Sequence, residues 1–114
     1  MEGNHLIGTN GRIEFTLEGL TFRRSKSAAT ARGVGRLHHV GWDQIEQAEL
    51  ARTGKGKPVV KVLVADARPV SGIRHDPHSL KVKRSMADDA RAFVARVNDE
   101  VATRRRWAAA AENA

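Results

Sequence analysis

The chain has 114 residues, enough for one hydrophobic core and too few for two. Apolar residues make up 40% and charged residues 29%, the balance of a soluble globular domain, and aromatics are only 4% with no tyrosine, which argues against a nucleic-acid surface of stacked rings. The 20 Lys and Arg against 13 Asp and Glu leave a formal charge of +7, which raises affinity for nucleic acid, anionic lipid or acidic protein without choosing among them.

No cysteine is present, which excludes disulfides, thiolate zinc sites and cysteine nucleophiles, and fits a cytoplasmic location. The opening MEGNHLIGTNGRIEF lacks the basic start and apolar run of a secretory signal. No apolar run reaches the length of about 18 residues that a membrane span needs.

Residues 1–10 read as an N-terminal lead-in. Asn10-Gly11 is a hairpin signal, and two readings stay open: a short strand at His5–Thr9, or a simple approach. From Arg12 the period is two. Ile13, Phe15 and Leu17 are expected on one face, then Glu18-Gly19 turns the chain and Leu20 and Phe22 face inward again. Ser25 to Gly33, SKSAATARG, has no apolar period and reads as a mobile surface loop.

Strand character returns over residues 35–40 and 46–53. Gly54-Lys55-Gly56-Lys57-Pro58 is a turn by composition, and Val59 to Ala65, VVKVLVA, is the most β-prone run and the expected central strand. Residues 68–79 read as a loop with a short edge strand at Val70–Arg74, and Leu80 to Lys83 as the last strand.

The period then changes. Ser85-Met86-Ala87-Asp88 fits a capping box. Ala90, Phe93, Val94, Val97 and Val101 form the apolar stripe of an amphipathic helix, which Arg104, Arg105 and Arg106 are expected to close. The tail WAAAAENA either extends that helix or frays. The fold class is therefore mainly β (α+β): six or seven short antiparallel strands followed by one C-terminal helix.

Three stretches resemble the bacterial pleckstrin-homology-like superfamily, and most closely an actinobacterial type of unknown function. GRIEFTLEGLTFRR looks like its opening hairpin, HVGWDQIEQAEL like its third strand running through a ledge into the fourth, and LKVKRSMADDARAFVARVNDEV like its final strand and capping helix. The resemblance covers roughly residues 11–101. It implies a strongly bent seven-stranded antiparallel sheet or barrel whose open end is plugged by the helix, with a domain over residues 11–103 and a helix extension or frayed tail over 104–114. Phosphoinositide-binding members carry basic residues in the loop between the first two strands. Here that loop is Glu18-Gly19, and the basic residues come one connection later, so the headgroup site is not carried over residue by residue.

Among chemistry-bearing residues, His38 and His39 are neighbours on a strand and point to opposite faces, so they cannot serve one ligand together. Trp42 shares a parity with Val40 and leads to Ile45, which places it in the core. His75-Asp76-Pro77-His78 holds metal-ligand types, but no fourth ligand is near, the HExxH spacing is absent, and no metal or cofactor is expected. Ser25, Ser27, Ser71, Ser79 and Ser85 sit in loops or at the helix cap, outside any nucleophile elbow, so the chain is not read as an enzyme.

The candidate binding residues are Arg23, Arg24, Lys26, Arg32 and Arg36, which flank one connection and form an anion-attracting surface if the fold gathers them. The expected function is a non-enzymatic interaction module for a protein partner or an anionic membrane surface, with self-association open. The alternative is a basic nucleic-acid-binding protein, recognisable by a steep salt dependence. A lesser reading places Arg104 to Arg106 and Trp107 against an anionic bilayer.

Overall fold

Among the described residues, alternating apolar residues pair into seven antiparallel strands in two sheets. The computed structural model describes residues 4–70 and 72–113; Met1 to Gly3, Ser71 and Ala114 lie outside the described residues. Strands β1 (His5–Gly8), β2 (Gly11–Phe15), β3 (Gly19–Arg24) and β4 (Leu37–Gly41) form one sheet in that order. Strands β5 (Ile45–Arg52), β6 (Pro58–Val64) and β7 (Ser79–Lys81) form the other. The sheets do not close into a barrel by strand pairing among the described residues. They approach at one corner, where the Thr9 N–H donates to the Lys81 carbonyl at 2.8 Å.

Strand β1 settles the open reading of the N-terminus. Asn10 takes a φ of 61°, a left-handed conformation that asparagine tolerates better than most side chains, and Gly8 pairs with Gly11 across the turn. Gly8 is required for a second reason. A Cβ there would fall 2.5 Å from Leu80 Cγ, so only glycine lets β7 pack against the end of β1.

The core fills the space between the two sheets and helix α2 (Ala87–Glu112). Leu6, Ile13, Leu20 and Phe22 enter from the first sheet, Val60, Val62, Leu80 and Val82 from the second side, and Ala90, Phe93, Val97 and Val101 from the helix. The helical stripe read from spacing is thus the buried stripe. Trp42, in a 3-10 turn between β4 and β5, is buried and donates its Nε1–H to the Thr16 carbonyl at 3.1 Å. Its ring lies 4.8 Å from that of Phe15.

Helix α2 also covers the outer edge of β5. Asn98 Oδ1 accepts from the Ala48 N–H at 2.7 Å, and Asn98 Nδ2 donates to the Ala48 carbonyl at 2.9 Å. One side-chain amide therefore replaces the neighbouring strand that Ala48 lacks. Arg105 adds a bond to the Glu46 carbonyl, and Arg104 to the Leu17 carbonyl.

Several local expectations are corrected. Residues 25–33 are not a loop: Lys26–Ala31 form a short helix, α1, capped by Ser25 and burying Ala28 and Ala29. Two adjacent alanines suffice to seat so short a helix, so no apolar period was needed. Leu17 is 79% exposed, because β2 ends at Phe15 and the connection to β3 begins there. No strand forms at Val70–Arg74 among the described residues; Ile73–His75 make a 3-10 turn. Ser85 does not cap α2, because Arg84–Met86 form a 3-10 turn leading into it and the cap position falls to Met86. Arg104 to Arg106 do not end the helix, which the alanine-rich tail carries on to Glu112.

Candidate anion-facing surface

The first sheet turns one face to the core and leaves the other exposed. Strand register sets a straight row across that outer face: Ile7 opposite Arg12, Arg12 opposite Arg23, and Arg23 opposite Leu37. Ile7 and Leu37, at the two ends, are 51% and 59% exposed. The row lies in an open concavity of about 640 Å³, which Arg24 and Arg36 also line. The next row is His5, Glu14, Thr21 and His39, in which the Thr21 hydroxyl and His39 Nδ1 are 2.9 Å apart.

Glu14 is the acid beside the arginine row. It accepts a bond from Arg23 Nε and sits 3.9 Å from Arg12 Nε. Arg36 gives its Nε to the Arg24 carbonyl at 3.4 Å. Two exposed guanidinium groups, those of Arg12 and Arg23, thus share one carboxylate, Arg36 adds a third nearby, and the surface keeps an excess of positive charge.

The five residues expected to make this surface divide. Arg23 and Arg36 belong to it. Lys26 is exposed on the first turn of α1. Arg32 instead holds the fold together, bonding the carbonyls of Asp76, Ala28 and Ile73 and so tying α1 to the connection between β6 and β7. Arg24 points inward with Leu20 and Phe22 and is only 6% exposed. It lies over the Phe22 ring and donates Nη2 to the Ser79 carbonyl at 2.6 Å, while its buried Nη1 has no hydrogen-bond partner. Burial, then the nearby Arg32, lowers its pKa to about 10 against the opposing pull of Asp76, so it remains charged near neutrality. Burial likewise lowers Arg32.

Below Arg24 lies a contact that sequence spacing did not suggest. His38 faces inward from β4 and meets His78, with Nε2 atoms 3.1 Å apart. His39 is on the opposite face, as strand alternation requires. Asp76 is committed to its own turn, accepting from the His78 N–H and the Ser79 hydroxyl. His75 turns toward the Ala31 carbonyl at 3.1 Å. The HDPH stretch is therefore spread over separate partners, and among the described residues no group of three His, Asp or Glu is arranged to hold a metal ion.

Arg12, Ile7 and Leu37 were missed as site residues. The signal for them was the Asn10-Gly11 turn: a hairpin there fixes Ile7 opposite Arg12, and outward alternation does the rest. With fold and site in view, no protein-family model, no curated protein and no solved structure matches this chain. No described helix is long and apolar enough to cross a membrane.

Proposed function

We propose that the chain is a non-enzymatic interaction module, of pleckstrin-homology-like build, that captures an acidic protein partner on the outer face of its first sheet. One observation carries this reading: the exposed row Ile7–Arg12–Arg23–Leu37, two guanidinium groups flanked by two aliphatic side chains. Arginine suits carboxylates because its planar fork can give two parallel bonds. The flanking aliphatics reward a partner that also carries apolar side chains, which a sugar–phosphate backbone does not offer. The site therefore differs from the earlier five-residue expectation: Arg12, Arg23 and Arg36 bind, while Arg24 and Arg32 support.

The test is a side-by-side titration near physiological salt of a labelled glutamate–leucine copolymer, a DNA duplex, and phosphatidylserine-containing against phosphatidylcholine vesicles. The Arg12→Ala/Arg23→Ala double variant serves as control, since both side chains are exposed and their loss leaves the core intact. The copolymer should bind and lose at least about tenfold in affinity in the variant. DNA binding with a steep salt slope would move the function to nucleic acid. Vesicle binding that outlasts moderate salt while the copolymer stays free would move it to membranes.

A further inference from the structure

The four outermost strands of the two sheets are not equally guarded. The edge of β5 is closed by the Asn98 amide on Ala48. The edge of β7 gives the Lys81 carbonyl to Thr9, and the same bond occupies the end of β1, where Leu80 also packs on Gly8. Helix α2 also touches β1. Among the described residues, strand β4 has no such cover. The Arg24 N–H donates to the Arg36 carbonyl, so the alternate pairs with β3 fall at His38 and Val40. The N–H and C=O of Leu37 and His39 therefore point away from the sheet, and none of these four groups has a hydrogen-bond partner among the described residues. The strand LHHVG also holds no proline, lysine or bulge.

The charge at the Leu37 end of this edge is mainly positive, while the Asp43 carboxylate lies at the Gly41 end. Leu37 sits at the end of the arginine row, Arg23 is its cross-strand neighbour, and Arg36 precedes it. Arg23 gives only its Nε to Glu14. An added strand lies about 4.8 Å from β4, and its outward side chains stand beside Leu37 and His39. A glutamate there is within the combined reach of its own side chain and that of Arg23 or Arg36.

We infer that the partner is engaged by strand addition: an extended acidic segment of the partner protein pairs with β4 as a fifth strand of the first sheet. Backbone bonds to Leu37 and His39 hold the segment, and Arg23 and Arg36 select carboxylates on its outward positions. This inference rests on the acidic-partner reading above and adds the geometry of capture.

The experiment uses a labelled peptide of about ten residues alternating valine and glutamate, the length of an ordinary strand. Two comparison peptides match its charge: one alternates proline and glutamate, whose fixed φ disfavours an extended pairing strand, and one carries N-methyl groups on the amides that would face β4. Hydrogen exchange at the Leu37 and His39 amides is followed in parallel. The valine–glutamate peptide should bind, the other two should bind at least about tenfold more weakly, and both amides should become protected. Arg23→Glu should weaken the binding by a similar factor. Equal binding of all three peptides, or no protection at Leu37 and His39, would overturn strand addition and leave the acidic-partner reading standing. Failure of every acidic probe, copolymer included, would remove both.

Discussion

His38 Nε2 and His78 Nε2 stand 3.1 Å apart, joining β4 to the approach to β7 across 40 positions of chain. Such a contact needs one ring to donate and the other to accept, so it requires at least one neutral imidazole. The surroundings favour that state. Burial lowers the His38 pKa, with further lowering from Arg24 and His39. Burial also lowers His78, with His38 and Arg24 acting the same way and Asp76 opposing.

The pH response follows from these directions. Both groups titrate lower in the folded chain than in the unfolded one, so the unfolded chain binds more protons as the solution is acidified. Their contribution to stability is complete above the unfolded value of about 6.5 and is lost as pH falls through the lower folded values. The thermal midpoint should fall as pH is taken from about 7 toward 5, in a window where most carboxylates remain ionised. A His38→Gln/His78→Gln double variant keeps hydrogen-bonding capacity without titrating, and should flatten the slope. An unchanged slope in that variant would rule the pair out as its source.

Asn98 is a stronger structural commitment than its half-exposed position suggests. Asn98→Ala leaves both backbone groups of Ala48 without their partner and should cost about 1–3 kcal/mol, measured by denaturant unfolding. The same variant uncovers the β5 edge, so sedimentation should show new concentration-dependent association. A stability loss no larger than that of an ordinary surface alanine substitution would contradict the role given to the amide.

Gly8→Ala should also destabilise, by about 1–3 kcal/mol, because the added methyl meets Leu80 and the Lys81 carbonyl where β7 closes on β1. Thr9→Ala is the control: it changes a neighbouring side chain without entering that contact. If both variants unfold at the same denaturant concentration, the close packing at this corner does not constrain the backbone.

From Arg105 onward α2 is exposed along its described length, and the last anchoring bonds to the sheets come from Arg104 and Arg105. Ending the chain after Arg106 should change stability by less than about 0.5 kcal/mol while lowering the helical circular dichroism signal. A large loss of stability would show that the distal turns carry contacts beyond those seen.

Much of the framework could be read from alternation, because a residue such as Ile13 or Val62 declares its face by its neighbours in sequence. The helix stripe from Ala90 to Val101 was equally plain. The misreadings have one physical origin, which is that short elements are set by tertiary contact. Ala28 and Ala29 make a helix because there is a surface to bury them on, and the Ser85 box is displaced by the 3-10 turn before it. The candidate site was half legible. Arg23 and Arg36 could be named from composition, but the opposite fates of Arg23 and Arg24, one outward and one buried, depend on parity along β3. His38 meeting His78 depends on how two sheets face each other, which no local pattern encodes.

Trp42 and Trp107 are the chain's two tryptophans, and there is no tyrosine to overlap them. Trp42 is buried, bonded to the Thr16 carbonyl and ringed by Phe15 and Arg104, whereas Trp107 is 63% exposed on the distal helix. The protein is thereby supplied with two intrinsic optical reporters of opposite character. A soluble quencher should silence Trp107 first, and the remaining blue-shifted emission should come from the core. Loss of that emission would time the opening of the core, while a change confined to the quenchable fraction would report events on the distal helix alone.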